Sequence, residues 1–124
     1  MSTNFVTLFG NLTRDAEAIP TNGKAMTRMR VATNARWTDA DGIKRESVEF
    51  HSVVAFGELA ELAAAECRKG RRVYVDGRLR TREYDGSDGV RRSATEIVAQ
   101  SLRFFSNSGR GSRAAQAATV EAAS

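Results

Sequence analysis

The stretch from Arg71 to Tyr84 reads RRVYVDGRLRTREY, with apolar and charged residues alternating at a period of two along most of its length. Only an extended strand sends alternate residues to opposite faces. Val73, Val75, Gly77, Leu79 and Thr81 then make a face fit for a core, and Arg78, Arg80, Arg82 and Tyr84 make the other. A strand this long needs its apolar face covered and its edges hidden. A row of guanidiniums ending in a ring also matches the chemistry that holds an unpaired polynucleotide, since fixed charges follow phosphates and a ring accepts the flat face of a base. The same row keeps an edge strand soluble, so the pattern alone leaves both readings open.

The rest of the chain supplies partners for that strand. Phe5–Phe9 is a short strand closed by Gly10, and Thr13–Gly23, which holds the only proline, Pro20, is a loop. From Ala25 to Asn34 the sequence alternates again, with Met29, Val31 and Thr33 opposed to Arg28, Arg30 and Ala32. The polar segment Trp37–Arg45, with Asp41-Gly42, joins it as a hairpin loop to a strand over Ser47–Phe56. Glu58–Lys69 is the one clear helix, with Leu59, Leu62, Ala63 and Cys67 on its apolar stripe and Gly70 as its stop. After Val73–Tyr84 comes a turn over Asp85–Gly89 and a fifth strand from Val90 to about Ala99, whose continuation to Phe105 the pattern leaves open. Three strands, one short helix between strands 3 and 4, and two more strands predict an all-β chain. Closure into a small barrel buries both stripes and hides the edges.

Composition narrows the class. A chain of 124 residues, 41% apolar and 27% charged, suits one domain over residues 1–105; residues 106–124, rich in Ser, Gly and Ala, read as a short disordered, flexible tail. Uncharged apolar runs stop after a few residues, as in Ser52–Gly57, so no membrane helix is expected. With no secretory leader at the start, the expected location is cytoplasmic. Cys67 is alone and forms no intrachain disulfide; with a single His51 it makes no zinc site, so no metal or cofactor is expected. No nucleophile or paired carboxylate stands out, so no catalytic residue is assigned and an enzyme is not expected. The net charge of +4 suits an anionic partner, and all but Lys24, Lys44 and Lys69 of the 19 cations are arginine, the side chain fitted to stacking and phosphate forks.

Five segments, in order and spacing, resemble the bacterial-type single-stranded DNA-binding protein family: GNLTRDAE (Gly10–Glu17), VATNARW (Val31–Trp37), EFHSVVAFGELAE (Glu49–Glu61), RKGRRVYVDGRLRTREY (Arg68–Tyr84) and TEIVA (Thr95–Ala99). The resemblance implies a five-stranded OB-fold barrel that coats single-stranded DNA in replication, recombination and repair, as a nucleoid-associated homotetramer. Carried over by position, it implies base-stacking roles for Trp37, Phe50, Phe56 and Tyr84. The cations expected to meet phosphates are Arg80 and Arg82, then Arg36, Arg45, Lys69, Arg72 and Arg78. It implies an oligomer interface at Phe5, Val6, Thr7 and Leu8 of the first strand and at His51. Glu58 and Glu83 stand where many members carry a basic residue, and Phe50 and Tyr84 where tryptophan is frequent, which implies a weaker field and less stacking area. The family recruits replication and repair proteins through an acidic, aromatic-ended tip; the tail here ends TVEAAS with Glu121 its only acid, so recruitment by that route is not expected. Two other uses fit the same barrel: an accessory OB-fold protein for primosome assembly or RNA binding, and a protein-interaction OB module.

Overall fold

The first strand, β1 (Val6–Leu12), pairs on two sides, and this double pairing closes the barrel. In the computed structural model, which describes residues 1–105 and 118–121, β1 lies antiparallel to β5 (Arg72–Asp85) from Val6↔Gly77 to Asn11↔Arg72. Its last two residues turn onto β3 (Met26–Thr38) through Asn11↔Ala32 and Leu12↔Val31. The circuit continues from β3 to β4 (Lys44–Phe56), from β4 to β6 (Arg91–Phe105) by a parallel pairing at Val53↔Ile97 and Val54↔Val98, and from β6 back to β5. The result is the expected five-stranded barrel with one helix, α1 (Glu58–Glu66), between its third and fourth strands. A three-residue strand, β2 (Glu17–Ile19), forms on the edge of β3 inside the expected loop. Of the expected tail, only β7 (Ala118–Glu121) lies within the described residues, as a strand antiparallel to β6.

Two glycines sit where strands cross too closely for a side chain. A Cβ on Gly10 would stand 2.2 Å from the Ala32 carbonyl oxygen, and one on Gly77 would stand 2.2 Å from that of Val98. Gly77 also marks an irregularity: Asp76 pairs with Ser101 and Gly77 with Ala99, so β6 carries one extra residue and bends there.

The interior is filled by Leu12, Met29, Val31, Val53, Val73, Val75, Ile97, Leu102 and Phe104, and α1 caps it with Leu59, Ala60 and Ala63. Thr27 Oγ1 donates to the Ala60 carbonyl at 2.8 Å and ties the helix to the barrel floor. The last strand runs through Phe105, with Phe104 fully buried.

Three expectations are corrected. The helix ends at Glu66 rather than Lys69, because Cys67 turns extended and buries against Met29 Sδ, while the Gly70 amide is taken by the Leu12 carbonyl at 2.7 Å. Gly70 is thus a turn residue at φ 88° and not the helix stop. Burial also pushes the Cys67 thiol up to about 12, despite the opposing charges of Arg71 and Arg68. Leu79 and Thr81 are exposed, because β5 outruns β1, whose pairing stops at Val6↔Gly77, so no strand covers their side of the β5–β6 hairpin from that edge. Trp37 lies on β3 itself, since β3 and β4 pair out to Thr38↔Lys44 and leave only Asp39–Ile43 as the loop.

Candidate nucleic-acid interface

The β3–β4 ribbon pairs without a bulge from Met26↔Phe56 to Thr38↔Lys44, so its two faces stay distinct along its whole length. Thr27, Met29 and Val31 with Ala55, Val53 and His51 point to the core side. Arg28, Arg30 and Ala32 with Val54, Ser52 and Phe50 lie on the opposite face, which Phe56 shares and where Val54 is fully buried. Phe50 is 53% exposed, and the Arg30 guanidinium lies over its ring, 5.2 Å from the centroid. The Arg80 guanidinium stands 5.6 Å from the centroid of the half-buried Phe56.

The outer face of β5 extends this stripe. Arg80 Nη2 donates to Glu96 Oε2 at 2.8 Å, and Arg82 Nε donates to Glu96 Oε1 at 2.9 Å. The Arg82 guanidinium in turn covers the Tyr84 ring at 5.3 Å. From Phe56 to Tyr84 the surface therefore runs ring, guanidinium, carboxylate, guanidinium, ring. Glu96 is only 4% exposed. Burial pushes its pKa up, but the hydrogen bonds from Arg82 and Arg80, with their charges, outweigh this and hold the carboxyl below its ordinary range.

Glu96 went unseen in the sequence, where Arg80 and Arg82 read as open cations. The turn as read, Asp85–Gly89, sets Arg80 opposite Ala94; the hairpin instead closes at Asp85↔Arg91, one residue later, and only that register brings Arg80 opposite Glu96. Arg28 and Arg30 were missed as well, although they form the charged face of the second alternating segment.

Trp37 stands apart from the other three rings. By register it lies on the core-side face of the ribbon, opposite Arg45, where the hairpin has outrun the barrel and the ring is 49% exposed. Beside it an open pocket of about 330 Å³ is lined by Arg36, Thr38, Lys44, Arg45 and Glu46. Arg36 Nε pairs with Glu46 at 3.3 Å, and Arg45 Nε with Asp39 at 2.9 Å. Asp39 Oδ1 also accepts the amides of Asp41 and Ile43, both at 2.9 Å. The Ile43 amide, then Arg45, lowers the Asp39 pKa. This fastens the hairpin tip that carries Trp37.

The remaining cations are dispersed. Arg78 is exposed on the same face of β5 as Arg80 and makes no ion pair among the described residues. Lys69 is exposed in the connection after α1, its amide bonded to Asp15 Oδ1 at 2.9 Å. Arg72 opens β5, twelve residues or ~40 Å of strand from Tyr84. Its guanidinium covers Phe9, whose ring lies 6.2 Å from Tyr74 and 5.7 Å from Phe105. Arg103 covers Tyr74 at 5.6 Å.

This second aromatic cluster also escaped the sequence reading. It borders the residues expected at an oligomer contact. Phe5 is exposed just before β1, Thr7 is exposed with its hydroxyl donating to Asp76 Oδ1 at 2.8 Å, and Val6 and Leu8 pack partly against the core. His51 is half-buried on the core side of β4, its Nε2 2.9 Å from Thr33 Oγ1. Among the described residues no helix is long and apolar enough to cross a membrane.

Residues 3–105 match the Single-strand binding protein family. The chain is 43% identical over 109 residues to a protein of Xanthomonas axonopodis pv. citri named "Single-stranded DNA-binding protein", covering 87% of this chain and 61% of that one. A protein of the same name from Neisseria meningitidis is 40% identical over 107 residues, covering 85% of this chain and 61% of that one. The chain thus spans about three fifths of the length of these relatives. Among solved structures, "Plasmodium falciparum SSB complex with ssDNA" superposes with a TM-score of 0.77 at 28% identity, covering 86% of this chain and 97% of that one. A deletion mutant of the single-stranded DNA binding protein from Thermus aquaticus also superposes with a TM-score of 0.77 at 28% identity, covering 87% of this chain and 53% of that one.

Proposed function

The chain belongs to the single-strand binding protein family, and from that premise we propose that it coats single-stranded DNA, without preference for base sequence, in replication, recombination and repair. The observation that carries this reading is the outer stripe in which Phe50, Phe56 and Tyr84 are each flanked by a guanidinium at 5.2–5.6 Å. Unpaired bases present flat π-faces to such rings, and each stacked base contributes about 1–3 kcal/mol whatever its identity. Duplex DNA hides those faces inside its own stack and is refused. Binding is the whole of the assigned chemistry, with no catalytic step, in a cytoplasmic, nucleoid-associated protein.

The working unit in this reading is a homotetramer. Phe5, just before β1, and Phe9 on it, together with Tyr74 and Phe105, offer the apolar surface on which copies would meet. The test is fluorescence anisotropy of a labelled oligothymidylate titrated with the protein at several salt concentrations, beside an oligouridylate and a duplex of equal length. Tight, steeply salt-dependent binding of the single strand and weak binding of the duplex are expected. Equal affinity for duplex, or no response to any of the three, overturns the reading.

A further inference from the structure

Glu96 is a buried anion at the centre of a surface otherwise built to attract one. A carboxylate 4% exposed between two guanidiniums, at 2.8 and 2.9 Å, is a charge-assisted clamp and not a solvated side chain. The clamp holds Arg80 at a cost: its Nε is buried with no hydrogen-bond partner. A free arginine would satisfy that donor by swinging into water, so Glu96 is what keeps the guanidinium in. The same hold sets Arg80 beside Phe56 and Arg82 beside Tyr84.

We propose that Glu96 is a positioning residue that withholds one of two positive charges from the nucleic acid, so that Arg80 and Arg82 together neutralise one phosphate instead of two while bracing the rings for stacking. This rests on the single-strand reading above. The charge count is simple: two guanidiniums and one carboxylate leave a net single charge on the cluster. The carboxylate stays ionised at neutral pH because the two arginines favour its charged form. The Phe56–Tyr84 end of the stripe therefore grips chiefly by stacking, and the salt-sensitive grip falls to cations outside the clamp, Arg28, Arg30 and Arg78.

The experiment measures log affinity against log salt for an oligothymidylate of about ten nucleotides, within the reach of one such barrel, on the full chain. Each phosphate neutralised on a single strand contributes about 0.7 to the slope. Glu96→Gln is expected to steepen the slope by about 0.7, an extra loss of about threefold between roughly 50 and 200 mM salt, and to bind more tightly than wild type at the low end. A merely structural lesion would weaken binding at every salt concentration. Should Glu96→Gln fail to fold, the triple variant R80Q/R82Q/E96Q leaves no buried charge unpaired. It is expected to flatten the slope by about 0.7, whereas two independent phosphate contacts would flatten it by about 1.4. A Glu96→Gln slope equal to or shallower than wild type, or the larger flattening in the triple variant, overturns the proposal. Failure of the wild-type chain to bind the oligomer at all would remove the parent reading, and this one with it.

Discussion

Two surfaces of this barrel are made from the same materials and arranged differently. On the outer face of β3, β4 and β5, Phe50, Phe56 and Tyr84 lie apart, each beside a guanidinium at 5.2–5.6 Å. On the face shared by β1, β5 and β6, Phe9 touches both Tyr74 and Phe105, and Arg72 and Arg103 sit over the rings at 5.4 and 5.6 Å. Separated rings with charge between them match a ligand that alternates flat apolar groups with anions. Rings in contact form one continuous apolar patch, which matches another protein surface. Spacing, rather than composition, separates the two roles.

The largest expected effect tests the stacking surface alone. Phe50→Ala with Phe56→Ala should cost about 2–6 kcal/mol of single-strand affinity, from about 1–3 kcal/mol per stacked base, and leave the mass by light scattering unchanged. A loss below about tenfold would show that these rings do not carry the stack. Phe9→Asp is the converse. A central interface aromatic carries roughly 2–4 kcal/mol, so the proposed homotetramer should fall to smaller species while a short oligothymidylate, held by one barrel, binds within about threefold of wild type. If Phe9→Asp weakened that short strand as much as the double variant does, the two surfaces would be one.

The barrel was legible because its signal is local. Alternation at Met29–Val31 and Val73–Val75 marks the core whatever the tertiary context, and the Asp85–Gly89 turn marks the β5–β6 hairpin, although its loop falls one residue later, between Asp85 and Arg91. Where the reading went wrong, the cause was non-local. Leu79 alternates correctly with its neighbours, but nothing in the strand says that its pairing with β1 stops at Gly77. Cys67 has the spacing of a helix face, yet its chain is pulled extended by a sulfur contact to Met29 and by pairing of the next turn with β1. At the site, the identity of the rings could be read and their grouping could not. Trp37 and Phe50 look equivalent until the β3–β4 register puts them on opposite faces of one ribbon. The charges were over-counted for the same reason, since Arg36, Arg45, Arg80 and Arg82 all have carboxylate partners on a neighbouring strand or loop.

That over-count yields a smaller test. Arg78 on the stripe and Arg72 on the patch are both exposed, and neither makes an ion pair among the described residues. With a short oligothymidylate, Arg78→Ala should flatten the salt slope by about 0.7, and Arg72→Ala should leave it unchanged. Equal flattening by both would mean that the strand runs over the aromatic patch as well.

The smallest effect is on stability, and it belongs to the stripe because only the stripe holds a buried carboxylate among the described residues. The folded-state pKa of Glu96 lies below its ordinary value of 4.5. Its pairing therefore contributes fully above that value, where the carboxylate is charged in folded and unfolded chain alike. The contribution is lost as pH falls through the lowered folded value, because protons then bind the unfolded chain first. Denaturant midpoints of wild type and Glu96→Gln should differ most at neutral pH, with wild type the more stable, and converge in acid below the ordinary glutamate range. A gap that stayed constant with pH would mean that the substituted amide is disfavoured by its shape, and that the charge between the two arginines contributes nothing to holding the stripe together.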